Sequence, residues 1–495
     1  YQINPDGIAY LRIAGYWAEG KPDLALSGYW GPLFSWLMIP FLPLDDGPGN
    51  LAASRIAMVF SGLLFLVASR SVFLRLDLAP AARSAALFLT ALFAAPASVE
   101  TTSPDLLVSG LLLFLVASLF GSCWITSRAH AVRAGVIGGL AYLTKAAALP
   151  YVVALIAVIA LLRSTIGLNE PARVARAAVF ALAGIAAVAL PWVVTLTVHY
   201  GAPTWSTSGG INHALIAPGG PPFRHPAFFQ YHVPEAGRIT KWEDPDASEY
   251  ERWNPLASTK NLRYQVSTVY TNIGGVRNVW LRYDAIGFGL LCLFGAFLFA
   301  SPWRETMRTE RWRWCLLPAL LLATLYLPVH VGRGRYFYLA YPMVAGASVG
   351  VACWIGSRAP NRALRQLVLA LALLPFLLPS ARGFARALSG DRAREGALAY
   401  ALALDHVRNG GGPIASVNEQ TGLYTAYFAG VPWYGSQPTL DPERLQSLRP
   451  ALVVLPGPGS NRLSDGFPEV SVGPGATHPA IEELRNRGLT IRVIP

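Results

Sequence analysis

Long apolar runs recur between residues 51 and 380, and nothing else in the chain constrains its fold as strongly. A bilayer offers no partner for a backbone N–H or C=O, so an apolar run of about 20 residues must close its hydrogen bonds internally, as a helix. Runs near 51–70, 83–98, 105–123, 134–149, 150–163, 176–197, 284–302, 314–330, 336–356 and 364–380 predict ten spanning helices. The fourth and fifth are short and meet at Leu149-Pro150, which fits two tilted helices or one broken one. Residues 31–44 are apolar but too short and too proline-rich to cross, so they read as a re-entrant or interfacial segment. Only 14% of residues are charged, against roughly 25% in ordinary soluble domains.

The arginines orient these runs. Arg70, Arg75 and Arg83 flank one turn, Arg128 and Arg133 the next on that side, then Arg163, Arg173 and Arg176. Arg304, Arg308, Arg311 and Arg313 follow, then Arg358, Arg362 and Arg365. Positive loops stay cytoplasmic, which places the other ends outside. Arg382, Arg386, Arg392 and Arg394 oppose that rule, but long segments translocate regardless of charge. The net charge of +12 is thereby used for topology, and no nucleic-acid partner is expected. Cys123, Cys292, Cys315 and Cys353 lie in apolar segments without pairing or metal spacing, and read as small buried hydrophobes.

The expected organisation is mainly α, a polytopic membrane protein with a small C-terminal α/β extramembrane domain. Residues 1–50 form a first external loop with interfacial helices, starting at Pro5-Asp6-Gly7. Spans fill 51–197, an external loop 198–283, and spans again 284–380. Residues 381–495 form the external α/β domain. The 198–283 loop is rich in aromatics and histidines, among them Trp205, His213, His225, Phe228, Phe229, Tyr231, His232, Trp242 and Trp253. In the tail, strands are expected at 413–417, Ala451–Leu455 and Leu489–Ile494, with helices at Thr421–Ala429 and Ala480–Arg487. Tyr1 stands where an initiator methionine would, so a signal peptide or a further span is expected upstream.

Ionisable groups at the ends of apolar helices are costly and often functional. Four places on the outer side carry them: Asp6; the turn from Glu100 to Asp105; Lys145, ending Ala141-Tyr-Leu-Thr; and His330-Val-Gly-Arg333-Gly-Arg335-Tyr336. A phosphorylated lipid presents its headgroup at that level. Lysine and arginine would hold its phosphate, and a carboxylate would take a proton from an attacking hydroxyl. Each residue also has a plainer use: Asp105 as a helix cap, Lys145 as a snorkelling cation, Arg333 and Arg335 as interfacial anchors, Asp6 as a turn acid.

These stretches together resemble the GT-C superfamily of polyprenyl-phosphate-sugar-dependent glycosyltransferases. The nearest branch is bacterial, akin to protein O-mannosyltransferases and the lipid A aminoarabinose transferase. Asn4-Pro5-Asp6-Gly7-Ile8-Ala9-Tyr10 resembles the acidic first-loop motif, and Gly31-Pro32-Leu33-Phe34-Ser35-Trp36-Leu37 its proline-and-tryptophan segment. Ser103-Pro104-Asp105 resembles the second acidic turn, Gly139-Leu140-Ala141-Tyr142-Leu143-Thr144-Lys145 a recurrent Gly-Leu-Ala-x-Leu-Thr-Lys element, and Gly334-Arg335-Tyr336 an Arg-Tyr element.

The resemblance implies inverting sugar transfer on the periplasmic or exterior face of the inner, cytoplasmic membrane. The donor would be a polyprenyl-phosphate sugar and the acceptor a glycan, lipid or protein. Asp6 would be the base, with Asp105 orienting the site or helping to hold a divalent cation. Lys145, Arg333 and Arg335 would face the phosphate, with Tyr10, Arg12, Tyr336 and His213 as further substrate contacts. Two departures stand out. The paired-proline segment lacks its usual lysine at Tyr29-Trp30-Gly31-Pro32, for which Lys21 or Arg12 could substitute, and Gly7 follows Asp6 where an acid is common. A lipid or polysaccharide transporter, or a non-catalytic membrane scaffold, is the alternative. A transporter favours paired repeats and mid-membrane charges, and neither is evident.

Overall fold

The computed structural model describes residues 3–44, 48–165, 167–219, 225–282, 316–329, 334–357, 360–417, 420–437, 441–456 and 491–494. The span expected at 284–302, the helix expected at Ala480–Arg487, His330 and Arg333 lie outside the described residues. Among the described residues, four helices are long and apolar enough to cross a membrane: Leu51–Arg75, Pro80–Glu100, Ala148–Thr165 and Pro171–Tyr200. A helix pair bent by 42°, Arg362–Leu374 with Pro379–Arg408, makes a fifth.

The other expected spans are shorter helices: Asp105–Phe120, Arg128–Thr144, Leu316–Tyr326 and Ala340–Gly356. At 1.5 Å per residue such a 16-residue helix rises about 24 Å, less than the roughly 30 Å hydrocarbon core. Asp105–Phe120 and Ala340–Gly356 are buried along almost their whole length, so protein rather than lipid surrounds them. Their polar ends can therefore stop inside the bundle. The break between the fourth and fifth expected spans falls at residues 145–147, not at Leu149-Pro150. Pro150 sits in the first turn of Ala148–Thr165, where a missing N–H removes no helical hydrogen bond.

Small residues bring the site-bearing helices together. A Cβ at Gly135 would strike the Ala181 carbonyl, and one at Gly184 the Val132 carbonyl, so Arg128–Thr144 packs backbone-close on Pro171–Tyr200. At the opposite end of the bundle, Arg163 is buried and donates to the carbonyls of Leu119, Phe120 and Gly121 at 3.1, 2.7 and 2.8 Å. It satisfies the last carbonyls of Asp105–Phe120, a structural duty for one of the loop arginines.

The first helix, Pro5–Ala18, has proline at its first position. It was expected to lie at an interface, yet Ile8, Ala9, Tyr10, Leu11, Ile13, Ala14 and Tyr16 are all buried. Pro32–Met38 covers one side of it, fastened by the Ser35 hydroxyl donating to the Tyr10 carbonyl at 2.9 Å. Residues 198–283, expected as an external loop, also depart from expectation, because Thr259–Arg282 is a helix of 24 residues rather than loop. Asn272 anchors it by donating to the Leu327 and Val329 carbonyls at 2.8 and 2.9 Å.

The C-terminal unit holds a four-stranded, all-parallel sheet in the order β2-β1-β3-β4, with β1 Ile414–Val417, β2 Trp433–Gln437, β3 Leu452–Pro456 and β4 Ile491–Ile494. Ile414, Leu452, Val454 and Trp433 join the main core, while Ala415, Val417, Val453 and Leu455 face a smaller cluster with Tyr231 and Leu445. The sheet is sealed to the 198–283 segment: the Trp433 N–H donates to the Ile239 carbonyl at 2.7 Å, and the His232 N–H to the Tyr434 carbonyl at 2.9 Å.

Candidate active site

The site forms where the short helices end. Asp6 occupies the first turn of Pro5–Ala18, and Asp105 opens Asp105–Phe120. Lys145 follows the last turn of Arg128–Thr144, and Arg335 lies in a 3-10 turn before Ala340–Gly356. Carboxylates at helix N-termini are favoured by the free N–H groups there.

Two backbone approaches bring these ends into register. The Asn4 side chain pairs with Thr102 at both its N–H (2.9 Å) and its carbonyl (3.1 Å), joining the two acidic turns. Gly7 packs on the same turn: a Cβ there would lie 2.9 Å from Thr102 Cβ and 3.1 Å from Asn4 Oδ1. That contact explains why no acid follows Asp6. A Cβ at Gly31 would strike the carbonyls of Leu143 and Thr144, so the proline-and-tryptophan segment rests on the backbone just before Lys145.

Four charged residues then meet in a chain. Asp6 Oδ2 pairs with an Arg335 terminal nitrogen. Arg335 Nε lies 3.2 Å from Asp105 Oδ2, and Lys145 Nζ donates to Asp105 Oδ1 at 2.6 Å. The Asp105 side chain is 3% exposed and that of Lys145 25%, so this is a nearly buried network. Arg335 Nε is buried and, its ion pair with Asp105 apart, has no hydrogen-bond partner among the described residues. Lys145 Nζ sits 4.0 Å from the centre of the Tyr336 ring, which stacks on Tyr326 at 5.3 Å and 9°. Asp105, Lys145, Arg335, Tyr326 and Tyr336 line one cavity, whose other walls include Val108, Leu112 and Leu322. Charged and aromatic groups thus share a cavity with aliphatic walls.

Tyr10 lies one turn along the helix from Asp6, packed edge-on against Trp30 and Phe34 at 5.0 and 5.1 Å. Burial first, then the carboxylates of Asp6 and Asp105, raise its pKa and keep the phenol protonated. Arg12 and His213 do not join the cluster. Arg12 donates to the Tyr16 hydroxyl and the Gly237 carbonyl at 2.9 and 3.0 Å, which ties the first helix to the 198–283 segment. His213 stacks on Trp253 at 4.6 Å and contacts Gln265 at 3.0 Å. Lys21 pairs with Glu19 at the surface, so neither Lys21 nor Arg12 supplies the missing first-loop lysine. A divalent cation at Asp105 finds no donor set. Both Asp105 oxygens face cations of the chain, and no three His, Cys, Asp or Glu side chains gather among the described residues.

The sequence reading missed Trp242 as a site residue. Its indole N–H donates to Asp6 Oδ1 at 3.2 Å. It had drawn notice only as one loop aromatic among many, and no local spacing marks it.

Apolar helices closing around an ion-pair cluster at their ends, with a small α/β unit beside them, define a multi-pass membrane protein whose fold is shared with solved membrane proteins. Three solved chains share this fold. ArnT from Cupriavidus metallidurans bound to undecaprenyl phosphate superposes with a TM-score of 0.52 at 13% identity, over 88% of this chain and 81% of that one. The apo form of the same protein gives 0.51 at 15% identity, with the same coverage. The apo oligosaccharyltransferase of Archaeoglobus fulgidus gives 0.51 at 12% identity, over 88% of this chain and 61% of that one. No family model and no curated protein matches the sequence.

Proposed function

We propose that the chain is a glycosyltransferase that moves a sugar from a polyprenyl-phosphate donor to an acceptor hydroxyl at the outer face of the cytoplasmic membrane. The observation that carries this reading is the alternation Asp6–Arg335–Asp105–Lys145, whose last three members line a cavity with aliphatic walls. Arg335 and Lys145 hold the phosphate, the Lys145 ammonium hydrogens that do not point at Asp105 being donors to it. Asp6 takes the proton of the acceptor hydroxyl as its oxygen bonds to the anomeric carbon. The bond from that carbon to the phosphate oxygen breaks, and polyprenyl phosphate leaves with the electron pair, its charge met by the two cations. Asp105 accepts no proton; it holds Lys145 and Arg335 in place. The fold shared with ArnT, which was solved with undecaprenyl phosphate, supports the donor class.

Substituting Asp6→Asn tests the base. With a radiolabelled polyprenyl-phosphate sugar in isolated membranes, transfer should fall by about 100-fold or more. Full transfer would remove Asp6 from the chemistry.

A further inference from the structure

We infer that Trp242, delivered by the external segment, is a positioning residue that holds the Asp6 carboxylate at the angle its proton transfer requires; this rests on the reading of Asp6 as the base. Asp6 has two oxygens. One is drawn to Arg335, and that pairing alone leaves the carboxylate free to swing about it. The Trp242 indole, at 3.2 Å from the other oxygen, removes that freedom.

The indole is itself fixed from every side. Its ring meets Trp30, His225 and Tyr29 edge-on at 5.0, 4.5 and 5.4 Å, and Phe228 at 4.8 Å. The Trp242 backbone carbonyl accepts the Trp30 indole N–H at 3.0 Å, and the Trp242 backbone N–H donates to the Thr240 hydroxyl at 3.2 Å. Glu243 closes the turn in a capping box, accepting the N–H groups of Ile239 and Thr240 at 2.8 and 3.0 Å. The other Glu243 oxygen accepts the Tyr16 hydroxyl, and Tyr16 stands on the same helix as Asp6. The helix that carries the base therefore also anchors the turn that orients it. A second shell of this kind, built on a locked turn, is how a reacting group is held to a fraction of an ångström. Trp242 is 8% exposed, and its donor is spent on Asp6, so it has no role in contacting substrate directly.

Trp242→Phe keeps the ring packing and removes the donor. The assay is transfer from radiolabelled polyprenyl-phosphate sugar to endogenous membrane acceptors, run in H2O and in D2O and normalised to folded protein by detergent Tm and yield. We expect kcat to fall about 10-fold with the donor KM unchanged, and the solvent isotope effect to rise as proton transfer becomes rate-limiting. Arg163→Lys is the structural control: it weakens buried hydrogen bonds to the Leu119, Phe120 and Gly121 carbonyls at the opposite end of the bundle, and should lower Tm while leaving the isotope effect alone. Wild-type turnover in Trp242→Phe, or a loss fully matched by folded protein with no change in isotope effect, overturns the inference. Inactive Asp6→Asn beside fully active Trp242→Phe overturns it while sparing the base; active Asp6→Asn overturns the base first.

Discussion

Lys145→Met would separate the structural duty of the charge network from its chemistry. The side chains are of similar length, so the change removes charge rather than volume. Asp105, 3% exposed, would lose a partner at 2.6 Å. Breaking a buried pair costs about 3–5 kcal/mol when nothing replaces the partner. Arg335 Nε stays 3.2 Å from the other oxygen, so we expect a stability loss of about 2–3 kcal/mol, below that range. Catalysis should suffer a separate loss. A charged contact to the donor phosphate is worth about 1.5–3 kcal/mol, which corresponds to roughly 10- to 100-fold in kcat/KM. Thermal unfolding in detergent reads the first loss, and transfer kinetics from a radiolabelled polyprenyl-phosphate sugar read the second. Asp105→Asn with Lys145→Met removes both charges of the pair. It should recover most of the stability and none of the activity. Wild-type kcat/KM in Lys145→Met would refute the phosphate role. A double variant no more stable than the single one would refute the buried-pair account of the network.

Two further tests address the scaffold. Gly31→Ala drives a Cβ into the Leu143 and Thr144 carbonyls, and should cost about 1–3 kcal/mol and displace Lys145, lowering Tm and activity together; an active variant of normal Tm would contradict the close packing. Burial holds the pKa of His225 down at about 3 and that of His232 at about 4, from an ordinary 6.5. Their folded forms stay neutral while the unfolded chain takes protons, so stability falls as pH drops below 6.5, by about 2 kcal/mol per histidine at pH 5. Asp244, raised by burial to about 6 from 3.8, acts in the opposite sense and offsets part of this. Proteolysis of the external segment at pH 7 and pH 5 checks the net direction: faster cleavage at pH 5 is expected, and equal rates would count against buried neutral histidines.

What could be read from the chain alone follows from local chemistry. Lipid punishes unpaired backbone, so apolar runs announce helices, and the polar residues that end them stand out. Asp6, Asp105, Lys145 and Arg335 were legible for that reason. Strands at Ile414–Val417 and Leu452–Pro456 were legible as short β-branched runs, whereas Trp433–Gln437 was not. That strand carries Gly435 at φ 89° and takes part of its hydrogen bonding from Ile239, so neighbours rather than propensity make it a strand. Arg12 and His213 were drawn toward the site by residue type, and packing spent them elsewhere.

Only the tertiary structure decided who pairs with whom. Asp6 meets Arg335 across 329 positions and Trp242 across 236. No local pattern encodes such contacts, because they depend on where four short helices stop relative to one another. Glycines at 7, 31, 135 and 184 allow the close approaches that set those stops, and a glycine's meaning is visible only once its neighbour is known. The sequence by itself determined that charged ends would exist beside apolar helices, since hydrophobic pattern is written along the chain. That the ends meet in one neutralised cluster, with an indole from the far segment on the first carboxylate, was decided by packing alone.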